Sequence, residues 1–262
     1  MKFLALGLLL LSGLAATAQT TPAPTFTSSC SNGGSNHQIR FCETRDLTMP
    51  AAIGQPLTID ASTNGSINVK GWDGPDVRIR ATVTAWANSE AEAKAHVAAI
   101  RISTASDKLL ATGGADNAAV SYEVFVPRRT GLALTTQNGS IHLAGVQSAI
   151  TFSAQNGSVS LADLGGQVTG KAVNGSLAIR LSGSQWEGSG LDVETVNGSI
   201  KWELPADYSA QLLTGTTNGS LRTTLPQSDP KGHKHEVKAV LGKGGQVIKA
   251  ITTNGSVVVR QG

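Results

Sequence analysis

The tripeptide Asn-Gly-Ser occurs seven times in 262 residues, and its later copies recur on a unit of about 18 residues. One copy begins at Asn64, and the others at Asn138, Asn156, Asn174, Asn197, Asn218 and Asn254. From Asn138 the spacings are 18, 18, 23, 21 and 36: one unit, the unit again, the unit with five extra residues, the unit with three extra, and two units. A fixed period of this length marks a repeat architecture, in which each short unit buries its apolar face only against a neighbouring copy.

The residues flanking each Asn define the unit. Six positions before stand Leu132, Ile150, Val168, Leu191, Leu212 and Ile248; three positions after stand Ile141, Val159, Leu177, Ile200, Leu221 and Val257. Five positions after come Leu143, Leu161, Ile179, Trp202, Thr223 and Val259. Apolar positions stepping by two on each side of Asn-Gly describe two short strands with alternate side chains buried. Asn and Gly both tolerate the left-handed backbone that a sharp corner uses.

Two architectures suit such a unit. In a meander of antiparallel hairpins, Asn-Gly would form type I′ turns. In a β-solenoid, a single-stranded β-helix, each unit of about 18 residues is one coil, coils stack about 4.8 Å apart, and identical side chains sit above one another. The solenoid explains more, because a hairpin needs neither a constant unit length nor Ser after every Gly. Stacked corners favour both, with Asn and Ser bonding along a ladder. The sequence therefore predicts an all-β solenoid over 131–262 with corner asparagines Asn138, Asn156, Asn174, Asn197, Asn218 and Asn254. If that ladder is buried, Asn156→Ala should cost roughly 1 to 3 kcal/mol. The extra residues near 182–190 and 205–208 read as loops bulging from a corner. The 36-residue gap reads as holding one degenerate coil with Glu236 in place of Asn.

Residues 55–130 read as a strand-rich cap with one short helix. Val77, Ile79, Ala81, Val83 and Ala85 alternate with polar residues, which predicts a half-buried strand. Ser89-Glu90-Ala91-Glu92 is a capping box, opening a helix with Ala93, Val97 and Ile100 on its inner face. A cap is physically expected, since an open coil end exposes apolar side chains and unpaired backbone.

Residues 1–18 carry the pattern of a signal peptide: Lys2, a short apolar run, then Ala16-Thr17-Ala18 before Gln19. That run is too short to span a bilayer, and no other candidate span occurs. Export to the periplasm or the cell exterior follows. Cys30 and Cys42, the two cysteines, are then expected to form a disulfide in a flexible lead-in over 19–54.

The order of these elements resembles a known family. Cys30 and Cys42-Glu43-Thr44-Arg45, Gly71-Trp72-Asp73, Trp86-Ala87 before the helix, the strand Val120-Ser121-Tyr122-Glu123-Val124-Phe125-Val126-Pro127, and the Thr-x-Asn-Gly-Ser units together are similar to the bacterial family of exported putative adhesins. The resemblance covers most of the mature chain. It implies β-helical repeats and supplies no catalytic residues.

The residues themselves point to no reaction. Glu194 and Glu203 read as solvated surface charges, and no pair of carboxylates recurs at matching offsets in adjacent units. His233-Lys234-His235-Glu236 could place two imidazoles on one strand face, a spacing usable for metal, but it lies in a Lys-rich loop and reads as a solvated excursion. No catalytic residue, cofactor site or metal site is predicted. The Asn-Gly-Ser triplets also match the N-glycosylation sequon, a match read as incidental at stacked corners. Lys and Arg number 21 against 18 Asp and Glu, a net charge of +3, which does not suggest a nucleic-acid partner. Trp186, in the inserted loop, is the aromatic that reads as most exposed and the candidate ligand contact, although half-burial over the coil edge is the stronger reading of it. The sequence reading is an exported, non-catalytic solenoid that binds a cell-surface or matrix glycan or protein. A structural envelope protein without a ligand and a polysaccharide-acting β-helix enzyme are the alternatives.

Overall fold

The computed structural model describes residues 22–35, 38–51, 54–114, 116–225 and 235–262. These residues are mostly β, with two large sheets and one α-helix among them. The early strands are β1 (Gly33–Ser35), β2 (Gln38–Pro50), β3 (Leu57–Asp60), β4 (Ile67–Trp72) and β5 (Asp76–Ala87). After helix α1 (Glu90–Ala99) come β6 (Arg101–Ser103), β7 (Lys108–Thr112) and β8 (Ala118–Pro127). The repeats supply β9 (Leu132–Asn138), β10 (Ile141–Ala144), β11 (Gln147–Asn156), β12 (Val159–Ala162), β13 (Gly165–Asn174) and β14 (Leu177–Arg180). They continue with β15 (Gly190–Asn197), β16 (Ile200–Leu204), β17 (Ala210–Asn218) and β18 (Leu221–Thr223). The last strands are β19 (Glu236–Leu241), β20 (Val247–Asn254) and β21 (Val257–Gln261).

Each repeat gives one strand to each sheet. Sheet A runs β1-β2-β5-β8-β4-β10-β12-β14-β16-β21-β18, and sheet B runs β19-β17-β20-β15-β13-β11-β9-β3-β7-β6. Neighbouring repeats pair in parallel with their corners aligned, Asn138 with Asn156, Asn156 with Asn174, and Asn174 with Asn197. The alternation read from the sequence sets the core: Leu132, Ile150, Val168 and Leu191 from sheet B meet Ile141, Val159, Leu177 and Ile200 from sheet A, and all are buried. The earliest Asn-Gly-Ser belongs to the same stack, since β3 pairs with β9 and β4 with β10. The expected boundary at 130/131 thus falls inside both sheets.

Ahead of the repeats, sheet A continues with antiparallel strands. β5 lies between β8 and β2, and α1 packs against both β2 and β5. Ser89 caps the helix by accepting the Glu92 N–H at 3.2 Å, and Ala93, Val97 and Ile100 are buried as their spacing predicts. The lead-in needs correction. Gln38–Pro50 is a 13-residue strand paired with β5 along its length, not a flexible tether. Its signal is weak because Glu43 and Arg45 interrupt the inner face, opposite the buried Val83 and Ala81, and Arg45 there donates to the Ile100 and Val97 carbonyls.

The C-terminal end departs furthest from expectation. Among the described residues between Asn218 and Asn254, Glu236–Leu241 is an edge strand that pairs antiparallel with β17, in place of the parallel strand that a degenerate coil would supply. The chain then turns back, and β20 and β21 enter between units that precede them. β20 lies between β15 and β17, and β21 between β16 and β18. The spatial order of corners is therefore 197, 254, 218. This order accounts for the irregular spacings. Asp163 and Leu164 alone link β12 to β13, whereas residues 205–209 link β16 to β17, which lies one layer farther on. The longer insertion supports that crossing: the Ser209 N–H donates to the Ser184 carbonyl at 2.7 Å, and Gln185 bridges Ser209. Trp202 ties the outer layers together over the small Ala250, its indole N–H donating to Thr214 Oγ1 at 3.0 Å.

Candidate functional site

The Asn-Gly-Ser column is the most ordered polar feature of the molecule. Each Asn donates its side-chain amide to the side-chain oxygen of the next layer: Asn138 to Asn64 at 3.2 Å, Asn156 to Asn138 at 2.9 Å, and Asn174 to Asn156 at 2.8 Å. The ladder continues with Asn197 to Asn174 at 2.9 Å, Asn254 to Asn197 at 2.8 Å, and Asn218 to Asn254 at 2.9 Å. Asn64, outside the set expected from the repeats, is its first rung. The six later asparagines are exposed rather than buried, so water competes for every amide and each bond is worth less than a buried one.

The glycines serve a different purpose from the one read in the sequence. At six of the seven corners neither Asn nor Gly has a positive φ. What matters is close approach: a Cβ on Gly157 would stand 2.0 Å from the carbonyl oxygen of Gly139, and one on Gly175 would stand 2.0 Å from that of Gly157. Where Thr stands two residues before the Asn, its hydroxyl donates to the neighbouring Gly carbonyl. Thr136, Thr195, Thr252 and Thr216 each do so at 2.7 Å. The asparagine amides and the glycine carbonyls thus hold layers together, a structural task.

Trp186 is not an exposed contact. It is 4% exposed, and its indole N–H donates to the Gly166 carbonyl at 3.0 Å. The inserted loop folds back over Gly166, at the start of β13 and away from the Asn-Gly-Ser corners: the Gly166 N–H donates to the Glu187 carbonyl at 2.6 Å, and the buried Trp186 gives the loop an apolar anchor. Cys30 and Cys42 are joined in a disulfide. Beside it, the N-terminal arm crosses sheet A: Phe26 packs on Phe125 at 5.4 Å, and Glu123 accepts from Thr27 N–H, Thr27 Oγ1 and Ser28 N–H at 2.8 to 2.9 Å. Burial pushes the Glu123 carboxyl up, but these donors outweigh it and hold the group at about 2.

His233 and Lys234 lie outside the described residues. His235 and Glu236 line a groove of about 440 Å³ on the outer face of sheet B, with Lys171, Glu194 and Ile251. The carboxylates there face cations. Glu194 meets Lys171 at 2.8 Å, Glu236 meets Lys238 at 3.3 Å, and Asp192 meets Lys249 at 3.0 Å. Among the described residues, no three His, Cys, Asp or Glu side chains come together in a way that could hold a metal ion.

The outer face of sheet A carries a shallower trough of about 150 Å³, lined by Ser160, Ala162, Ala178, Arg180, Lys201 and Glu203. Arg180 meets Asp163 at 2.8 Å, and Lys201 meets Glu203 at 2.6 Å. Lys201 chiefly, with help from Arg180 and Arg260, holds the Glu203 carboxyl below its usual range. Read as single residues, these charges look scattered. Aligning them four and six positions after each Asn would have revealed the cluster, because those offsets place Lys201 and Arg222 in one row and Arg180 and Arg260 in another.

No protein-family model matches the chain, and no curated protein does. Solved structures resemble it at low identity. A "putative cell adhesion protein" from Clostridium sporogenes is 9% identical, with 84% of this chain and 100% of that chain covered and a TM-score of 0.44. A "putative adhesin" from Bacteroides fragilis is 14% identical, covering 84% and 97%, with a TM-score of 0.30. A "putative lipid binding protein" from Parabacteroides distasonis is 10% identical, covering 84% and 96%, with a TM-score of 0.37. At these values the likeness says nothing about ligand or activity. Among the described residues, no helix is long and apolar enough to cross a membrane.

Proposed function

We propose that the chain is an exported, non-catalytic, adhesin-like β-solenoid whose flat outer sheet faces bind a cell-surface or matrix component. The signal-peptide pattern over 1–18 and the disulfide, which suits an oxidising compartment, support export. The parallel registers, with one strand of each repeat in each sheet, support a winding solenoid. On this reading 131–262 is the body of the solenoid and 55–130 the cap, whose β3 and β4 stack on that body as a further unit.

One observation carries the binding reading. The outward carboxylates of the repeats sit 2.6 to 3.3 Å from Lys or Arg on the same or adjacent strands. A general acid needs a proton at working pH, and the Glu203 carboxyl is instead held below its usual range by the Lys201 ammonium beside it. Such a surface presents paired charge over a broad plane, which suits recognition.

The test is to incubate the mature chain with a panel of polysaccharides and matrix proteins, following retention and new reducing ends together. Saturable retention without new ends is the expected outcome. New reducing ends would show an enzyme, and silence on both would favour an envelope protein without a ligand.

A further inference from the structure

We propose that the outer face of sheet A, at its C-terminal end, is a binding site for a linear carboxylated polysaccharide, held by Arg180, Lys201, Arg222 and Arg260. This rests on the binding reading above and adds to it the face and the ligand class.

The two faces of the stack differ in charge at the same height. On sheet B, Lys171, Lys249 and Lys238 meet Glu194, Asp192 and Glu236 one for one. On sheet A, the four cations face two carboxylates, Asp163 and Glu203. Arg222 and Arg260 are exposed, and neither has an ion-pair partner within 4.0 Å among the described residues. The excess of positive charge therefore lies on one face and is not neutralised there.

The fold gives that excess a regular spacing. The four cations stand on four successive strands, β14, β16, β21 and β18. Lys201 and Arg222 share a row with Val258 between them, and Arg180 and Arg260 share the next row with Glu203 between them. Members of a row are two strands apart, roughly 10 Å, and the two rows are offset by one strand. An extended polymer lying along the stack meets a cation at each layer, alternating between rows. That pattern suits a chain of sugars carrying carboxylates at regular intervals. The trough beside the cations has a floor of Ser160, Ala162 and Ala178, small enough to let the polymer lie against the sheet. Guanidinium groups suit the ligand, because each can hold a carboxylate through two parallel N–H···O bonds. Single-stranded nucleic acid suits it less, since bases bind by stacking on aromatic side chains and the outward residues of these four strands include none.

The experiment titrates the full chain with polygalacturonate, with its methyl-esterified neutral form, and with single-stranded DNA, comparing wild type with R222E/R260E and recording Tm for both. We expect saturable binding of polygalacturonate that weakens as salt rises and falls roughly tenfold or more in R222E/R260E at unchanged Tm, and no binding of the ester. R222Q/R260Q, which removes charge without reversing it, must weaken binding in the same direction even if the reversed variant melts early. Absence of polygalacturonate binding overturns the site, as does equal binding by the variants. Tighter binding of DNA overturns the ligand class. Retention of a neutral glycan or matrix protein, unaffected by the substitutions, would overturn this site while keeping the binding reading; silence across every probe would overturn both.

Discussion

The two ends of the stack are closed in different ways. At the N-terminal end the content changes: parallel repeat strands give way to the antiparallel strands β8, β5 and β2, with an arm over 26–28 laid across them and fastened to Glu123. At the C-terminal end the order changes: the last strands made become an inner layer, and an earlier repeat becomes the outer one. The first end uses contacts that differ from those of the repeats, such as Phe26 on Phe125 and the arm's donors on Glu123. The second uses interchangeable corners, because Asn254 completes the same ladder between Asn197 and Asn218 that either order would satisfy. A repeat protein can thus end by altering its residues or by altering its sequence of stacking, and only the first leaves a local trace.

Cross-linking puts the second closure to an all-or-none test. Asp192 and Lys249 are register partners on β15 and β20. Strands so paired stand about 4.8 Å apart, within the Cα range a disulfide spans. D192C/K249C should oxidise readily, as seen by protection from thiol alkylation. D192C/L213C spans two strands, roughly 10 Å, and should stay reduced. The opposite result would mean that the repeats stack in chain order.

Substitution at the corners should be severe wherever layers are stacked. In Gly157→Ala the new methyl meets the Gly139 carbonyl oxygen at 2.0 Å, with backbone on both sides. Only separation of the layers relieves that contact, and we expect at least about 3 kcal/mol of destabilisation. Gly183→Ala, in the inserted loop, meets nothing within 4 Å but has φ of +71°, so about 1 kcal/mol is expected. Urea denaturation of the two variants separates close approach from backbone freedom. Equal losses would contradict the layered contact.

The N-terminal closure should respond to pH. Glu123 is 3% exposed, and its donors hold it at about 2 against an ordinary 4.5. A depressed carboxyl contributes stability above its unfolded pKa and loses it as pH falls through the folded one. The window is therefore about 4.5 down to 2, and the contribution lost across it is roughly 3 kcal/mol. Glu123→Gln should remove that slope and cost about 2 kcal/mol at neutral pH, since the arm's N–H donors lose a charged acceptor. An unchanged pH profile would show that the arm is fastened elsewhere.

These contrasts explain what the sequence disclosed. Alternation around each corner placed Leu132, Ile150 and Val168 in the core, because burial on one face of a strand writes a period of two into the chain. Spacing announced the repeats but not their order, since equivalent corners satisfy the same bonds at any height. β2 was missed because Glu43 and Arg45 stand on the same face as Phe41, Leu47 and Met49 and so break the alternation. Trp186 reads as half-buried or exposed because the sequence does not show its partner, and that partner is the Gly166 carbonyl, 20 residues earlier. The basic face of sheet A was present all along at two fixed offsets, yet it became a site only when Arg260 moved next to Glu203 in space.

The smallest effect concerns the ladder itself, and it compares the middle of the stack with its outer layer. Asn156 both donates to Asn138 and accepts from Asn174, at 2.9 and 2.8 Å. Asn218, on the last rung, donates to Asn254 at 2.9 Å. If rungs act independently in water, Asn156→Ala removes two bonds and Asn218→Ala one, so their costs stand near two to one, with the larger about 1 kcal/mol or less. Aligned amides polarise one another, and an interior break also cuts the ladder in two. Cooperative coupling would therefore raise the ratio well above two. The double variant decides between these: additive losses mean that each amide acts alone, while a double loss smaller than the sum means that the break at Asn156 had already weakened the bond at Asn218. Should neither single variant shift Tm, the exposed ladder contributes nothing to stability, and the layers are held by backbone and glycine contact alone.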